Sequence, residues 1–524
     1  MTKEILFLIN ELRSERAKYI NYVSPTFETC IGMLSDRLDK TQDAVLARQV
    51  YNSIMDFINE EDTYQYIYVR VAFISVLKDI DYTMDVYDYI INTDRLTMYN
   101  KYYLLYQIGC ITFTIPEVDV AKVEAKADIL FKQICDWFAV EMDIADAQVP
   151  YKDRNHKNVV VLTEQFIALE HGPTKTALDR CRTLIKELDK ELLLINTAEC
   201  ITDNGYVPLS RPYGGSYLED YNDLSVFEWK DVSIPFFQLD NNQPDINTIR
   251  IVLDSIKEFN PEMIITIGGK SIISGLCNRM YPVLTVGLCP SCLEHSETTY
   301  QTISHPVNED DRIRLEAMGK GEEILIDGLF TSMVKPLSRH LDRTAINASA
   351  DDFVISIIGG RLLNEMSEDF IDMLLRTPEN VKLAIFGNVG ELLEQHPELR
   401  KRVIFCDFVS DILAYIECTD LNVNPVRRGG GTSAVEALYM GVPVVTTNHG
   451  DVYANVGDDF AVKNYDEMQQ AINRYVLDKD FYNAMSQKAK ERAGCLLDTN
   501  GEFVKIYDEV IRREKIKWEN FQSV

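Results

Sequence analysis

The chain lacks any apolar run approaching the roughly 18 residues that a membrane-crossing helix needs, so no helical span organises it. It is also short of positive charge, with 53 Lys and Arg against 82 Asp and Glu and a formal charge of -29. Phosphate neutralisation dominates nucleic-acid binding, so a surface this acidic excludes DNA and RNA as partners. A small phosphate-bearing ligand stays allowed, because a local nest of backbone N–H groups holds one against the global field. The eleven cysteines have no even spacing. With no export signal visible, they are expected to be reduced, mostly buried thiols in a cytoplasmic protein. The opening "MTKEILFLINELRSERAK" has acidic residues in and after its short apolar patch and no small-residue cleavage site, so it reads as a helix. No short-period repeat is visible.

What remains is an ordinary globular composition, 46% hydrophobic and 26% charged, in 524 residues, too many for one core. Three domains are expected. Residues 1–150 are poor in glycine and proline and carry apolar residues at helical spacing, as in "VYNSIMDFINEEDTYQYIYVRVAFISVLKDI" and "YNKYYLLYQIGCITF", which predicts an all-α domain. Its many tyrosines suit either packing between helices or a groove for a polypeptide partner. Over 151–335, "NVVVLT", a helix from "GPTKTALDRCRTLIKELDK" and "ELLLINT" form a β-α-β unit. "TIRIVLDSIKEFN", "PEMIITIGG", "SIISGLCNRM" and "PVLTVGL" continue the alternation. The polar, irregular stretch 296–350 leads into a second such unit, 336–524. There "DDFVISIIGGRL", "VKLAIFGN", "VIFCDFV", "LNVNP" and "PVVTT" supply strands, and closing helices from 466 onward complete it. The fold class is α/β, two Rossmann-like domains with parallel sheets behind a helical one.

In such sheets ligands sit beyond the carboxyl ends of the strands, and "NPVRRGGGTSAVEALYMG" lies at one such end. Gly429, Gly430 and Gly431 let the backbone approach an anion closely. Thr432 and Ser433 add hydroxyls at a helix N-terminus whose dipole favours negative charge. Arg427 and Arg428 add planar guanidinium forks that match phosphate oxygens. Glu436, on the first turn of that helix, is within reach of a hydroxyl-bearing part of the same ligand. A plain tight turn followed by an ordinary helix charge is the alternative.

The order "DDFVISIIGGRL…AIFGN…VIFCDFVSDILAYIECTDLNVNPVRRGGGTSAVEALYMGVPVVTT" resembles the C-terminal half of glycosyltransferases of the GT-B fold, over roughly residues 340–480. The resemblance implies a donor domain that binds a nucleoside-diphosphate sugar, most often a UDP-sugar, with no required metal or other cofactor. Many retaining members carry two glutamates eight residues apart. Glu436 matches the second, which contacts the ribose, while Arg428 stands in place of the first. Arg361 resembles the diphosphate arginine of the family; where a lysine is usual, Asn364, Glu365 and Met366 follow. Phe408 and Val409 fall where the loop backbone receives the base. The lead-in "SRHLDRTAINASADDF" looks closer to the O-GlcNAc-transferase-like and bacterial N-glycosyltransferase-like branches, some of which also carry a helical front domain.

By the same resemblance the first Rossmann-like domain is the acceptor side. His171, in the loop after its first strand, is the best base or sugar contact. Glu164, Glu170 and Lys175 are further candidates, and Lys270 in "IGGKS" reaches toward phosphate from the cleft wall. His449, Gly450 and Asp451, after "PVVTT", either touch the donor sugar or shape their loop. "LCPSCLEH" spaces Cys289, Cys292 and His295 like metal ligands, but a structural zinc site usually needs a fourth, so no metal is assigned. Asp351 with Asp352, Asp310 with Asp311 and Asp458 with Asp459 read as solvated or capping groups. The expectation is a glycosyltransferase moving a hexose from a UDP-sugar to an acceptor such as a protein or peptide side chain; the oligomeric state is left open. The alternatives are a UDP-sugar epimerase of the same fold and a non-catalytic scaffold.

Overall fold

The computed structural model describes residues 1–41, 43–113, 120–169, 171–199, 215–239 and 245–522. Among them, helices Lys3–Lys18, Pro25–Thr41, Ala44–Met55, Thr63–Leu77, Ile80–Asn92, Met98–Phe113 and Val120–Glu141 form the all-α front. Thr63–Leu77 has no polar stripe; it buries Gln65, Tyr68 and Arg70 as well as its apolar residues, as a helix surrounded by others must. Tyrosine fills the seams: Tyr51 meets Tyr82 at 5.3 Å, and Tyr66 meets Tyr89 at 5.0 Å between ring centres.

The first sheet contains β1 (Asn155–Thr163), β2 (Glu191–Asn196), β3 (Val226–Trp229), β4 (Val232–Gln238), β5 (Pro261–Ile267), β6 (Val283–Val286), β7 (Tyr300–Ile303) and β8 (Leu325–Asp327). Their spatial order is β3-β4-β2-β1-β5-β6-β7-β8, parallel except for the β3–β4 hairpin at one edge. The second sheet contains β9 (Phe353–Ile358), β10 (Val381–Phe386), β11 (Val403–Cys406), β12 (Leu421–Val423), β13 (Val444–Thr447) and β14 (Ala461–Val462), in the order β11-β10-β9-β12-β13-β14 and parallel throughout. Strand order reverses between β1 and β5 in one sheet and between β9 and β12 in the other. At those points the loops diverge to opposite faces and open a crevice.

Alternation along β1 buries both faces. Val160 and Leu162 share a core with the helical front domain, whereas Val159 and Val161 face the opposite core. The front domain is therefore welded to the first sheet and not strung ahead of it. The last helix, Thr499–Gln522, departs from the sequence-based assignment of all closing helices to the second unit. Its Phe503, Ile506, Tyr507 and Val510 belong to the core of the first sheet. Buried Glu514 fixes it there, bonded to Arg154 at 2.8 Å and to the Tyr300 hydroxyl at 3.0 Å. The stretch 296–350, read as irregular, also contributes β7, the helix Glu309–Met318 and β8.

Candidate active site

Beyond β12 the chain runs through Asn424 into the glycine turn and then the helix Gly431–Tyr439. Gly430, at φ +100, is the N-cap residue, and no side chain caps this helix. The first-turn amides of Gly431, Thr432 and Ser433 therefore point out of an uncapped N-terminus, the usual arrangement for an anion. Each glycine has a steric reason. A Cβ on Gly430 would lie 2.5 Å from the Arg427 guanidinium, one on Gly429 would lie 2.7 Å from Arg361 Nη2, and one on Gly431 would collide with Asn455. Thr432 is exposed, and the Ser433 hydroxyl donates to Gly430 O at 2.9 Å.

The two arginines before the turn differ. Arg427 is buried under the loop; it donates to Glu365 Oε2 at 3.0 Å, to Ile358 O at 2.9 Å and to the Asn424 side chain. It holds the turn in shape, and burial pulls its pKa below the usual guanidinium value. Arg428 points the other way, into a cavity, where Nη1 is 3.4 Å from Glu124 while buried Nε and Nη2 have no partner among the described residues. Arg361, more than a third exposed, bonds Glu365 Oε1 through Nε at 3.0 Å and lies over the Phe113 ring at 5.1 Å. Glu365 thus joins Arg361 to Arg427 where the resembled family has a lysine. Orphaned atoms collect here: Asn455, fully buried beside Gly431, has both amide atoms unpaired. Together with the bare guanidinium nitrogens of Arg428, they fit a polar, anionic group that the turn would cradle.

Glu436 lies on the second turn of the same helix, not on the first as the sequence suggested; it is largely buried, and burial raises its pKa to about 7 against the pull of Lys175, a cation of the first unit. Lys175 and His171 both belong to the start of the helix Gly172–Lys186, whose N-terminus is also uncapped by any side chain. Burial, and then the Lys175 charge, lowers the His171 pKa, and His171 Nδ1 is buried without a partner. Glu170 lies outside the described residues.

A cavity of about 650 Å³, within the usual size of small-molecule sites, opens between the three units. The front domain contributes Thr112, Phe113 and Glu124; the first sheet's loops contribute Glu164, Lys270, Cys289, Ser291 and His295; the second unit contributes Arg428, His449 and Asp451. Asp451 is tied across the cleft, accepting from the Ser291 hydroxyl at 2.7 Å, and burial raises its pKa to about 6. Burial lowers the pKa of His449, with the Arg428 charge acting in the same direction. Cys289 and Cys292 line the cavity, but His295 is held by Asp128 at 2.6 Å and Arg314 at 3.0 Å. No group of three or more His, Cys, Asp or Glu among the described residues is arranged to hold a metal. No helix among them is long and apolar enough to cross a membrane.

Phe408, two residues beyond β11, is 77% exposed, whereas Val409 packs against the second core. Sequence reasoning missed Phe113, Glu124 and Tyr106. These lie between 58 and 304 residues from partners such as Glu164 and Arg428, and no motif marks them.

Residues 355–478 match the family model described as Glycosyl transferases group 1. No curated protein matches the chain. Among solved structures, an O-GlcNAc transferase mutant from Thermobaculum terrenum superposes with a TM-score of 0.55 at 13% identity, covering 99% of each chain. A glycosyltransferase from Rickettsia africae (TM-score 0.47, 13% identity, 68% of this chain and 99% of that one) is less similar. So is the Anabaena protein Alr3699/HepE in complex with UDP (0.45, 16%, 70% and 100%). The chain therefore has the GT-B fold, front helices included, and its second Rossmann-like unit carries the glycosyl transferases group 1 match.

Proposed function

We propose that this protein is a glycosyltransferase that moves a hexose from a nucleoside-diphosphate sugar, UDP-linked, to an acceptor such as a protein or peptide side chain. The observation that carries the proposal is the uncapped helix N-terminus at Gly431, flanked by Arg361 and by the partnerless guanidinium nitrogens of Arg428. Preorganised amides and guanidinium groups there stabilise the charge that develops on a departing diphosphate, without needing a metal. Glu436 accepts from the ribose, the loop at Phe408 and Val409 receives the base, and His171 and Lys175 close on the sugar and phosphates from the opposite wall. His449 and Asp451 border the sugar. The group 1 match over the second unit supports the same chemistry.

The front domain lends weight to a transferase over an epimerase. An epimerase has no acceptor to seat, yet Thr112, Phe113 and Glu124 of that domain wall the cavity. The test is to incubate the purified chain with UDP-, GDP- and dTDP-sugars and follow nucleotide release. Release of UDP from a UDP-sugar is expected. Conversion of the sugar nucleotide without release would indicate an epimerase, and neither reaction would indicate a scaffold.

A further inference from the structure

We propose that Glu164, held by Tyr106 of the helical front domain, is the base that takes the proton of the acceptor; this rests on the transferase reading above. Glu164 follows β1 and Lys270 follows β5, so the two flank the crevice where the strand order of the first sheet reverses. Both line the same cavity as Arg428 and Asp451 of the donor unit. The Tyr106 hydroxyl donates to Glu164 Oε2 at 2.5 Å, and the Lys270 ammonium stands 5.1 Å from the centre of the Tyr106 ring.

The backbone is shaped around this pair. Lys270 is held at φ +64, a conformation that a non-glycine residue keeps only when its surroundings impose it. Its carbonyl accepts from the Tyr102 hydroxyl at 2.6 Å. A Cβ on Gly268, at φ +88, would lie 3.3 Å from Glu164 Oε1, and one on Gly109 would lie 3.1 Å from Lys270 Nζ. Two glycines from different domains thus leave room for the carboxyl and the ammonium.

The groups that act on Glu164 come from every element around it: Tyr102, Tyr106 and Cys110 from the front domain, Lys270 after β5, Glu294 after β6 and Glu199 after β2. Burial raises its pKa to about 8; the Tyr106 hydrogen bond and Lys270 oppose this, and Glu294 and Glu199 add to it. A base titrating near the working pH is well matched to proton abstraction. His171, like Lys175, Glu436 and the glycine turn itself, does not line this cavity, and burial lowers its pKa, which makes it a weaker base. In the step, the acceptor O–H or N–H bond breaks and its proton passes to Glu164 as the acceptor atom bonds the anomeric carbon. The bond from that carbon to the diphosphate oxygen breaks, and its electron pair stays on the diphosphate. Attack from the face opposite the leaving group inverts the anomeric centre.

The test measures UDP release from UDP-glucose, UDP-galactose and UDP-N-acetylglucosamine by the full chain, with water as acceptor, between about pH 6 and pH 10, and UDP affinity by calorimetry. We expect the wild-type kcat/KM to rise with pH to a plateau through a single group near pH 8. Glu164→Gln should lose about 10²–10⁴-fold in kcat and the pH limb, while UDP affinity changes less than about twofold. Tyr106→Phe should move the limb to higher pH, because the lost hydroxyl no longer stabilises the carboxylate; a merely structural role would not move it. These two wild-type and Tyr106→Phe readouts decide the matter if Glu164→Gln does not fold. A flat wild-type profile, retained anomeric configuration, or a near wild-type rate in Glu164→Gln would overturn the assignment while leaving the transferase reading intact. No UDP binding or release by the wild type would remove both.

Discussion

Replacing Gly430 by alanine separates a shaped anion cradle from a simple bend. The new Cβ would stand 2.5 Å from Arg427 Cζ and Nη2 and 2.6 Å from Nε, closer than real Cβ contacts come. That guanidinium has no freedom to move aside. It is buried, bonded to Glu365 at 3.0 Å and to Ile358 O at 2.9 Å, and held by Asn424. Gly430 also sits at φ +100, where a side chain costs about 1–2 kcal/mol before any contact is counted. The combined loss of stability should be about 2–4 kcal/mol. The turn must shift to relieve the clash, and the amides of Gly431 and Thr432 shift with it. Losing one charge-assisted hydrogen bond to the diphosphate would weaken UDP binding by about 1.5–3 kcal/mol, roughly ten- to a hundredfold in Kd. Gly429→Ala is the internal control: its Cβ comes closest to Arg361 Nη2, at 2.7 Å, the tip of a side chain more than a third exposed, which can swing away. Chemical denaturation and calorimetric titration with UDP measure both effects. Equal stability of the two variants, or unchanged UDP affinity in Gly430→Ala, would refute the reasoning.

Further outcomes follow from the same structure. Glu436 has a folded pKa of about 7, above the ordinary carboxylate value of 4.5, so the native state holds an extra proton between those values and stability falls as pH rises through that window. Glu436→Gln should therefore gain on the order of 3 kcal/mol over wild type above pH 7, with the gain vanishing toward pH 4.5, in denaturation series at several pH values. Glu436→Ala should weaken nucleotide binding by about 1.5–3 kcal/mol in calorimetry. Arg428→Gln should lose a similar amount of UDP affinity and flatten its salt dependence, whereas Glu124→Gln should bind UDP more tightly by removing the carboxylate 3.4 Å from Arg428. Glu514→Ala leaves Arg154, fully buried, without its ion-pair partner and should cost about 3–5 kcal/mol in denaturation while sparing UDP binding.

Cleft geometry also explains why the helical front domain cannot be regarded as an appendage. Glu124 bridges Arg428 of the second unit, at 3.4 Å, and Arg314 of the first, at 3.3 Å. Arg314 in turn grips Asp128 of the front domain with two bonds of 2.8 Å. One helix, Val120–Glu141, therefore carries charge into both halves of the cleft. An anion bound at Arg428 would compete with Glu124, which would link the proposed donor binding to the seating of this helix.

Local pattern was enough for much of the architecture. The β-branched run "NVVVLT" stands as β1, the Ser367 hydroxyl caps the helix Glu368–Leu375 by accepting from the Phe370 N–H, and the glycine turn leads from a strand into a helix. Periodicity and turn chemistry act over a few residues, and those features need nothing beyond their neighbours. Strands as short as β7, β8 and β14 are not legible in the sequence, because two to four residues are too few to show a period. The duties of Arg427 and Arg428 were likewise beyond the sequence: adjacent and chemically identical, one is buried under the loop by Glu365 and the other is turned into the cavity beside Glu124. Burial, orphaned hydrogen-bonding groups and raised carboxyl pKa values at Glu164, Glu436 and Asp451 arise from parts of the chain far apart in sequence. Only packing brings those parts within the few ångströms over which desolvation and charge act.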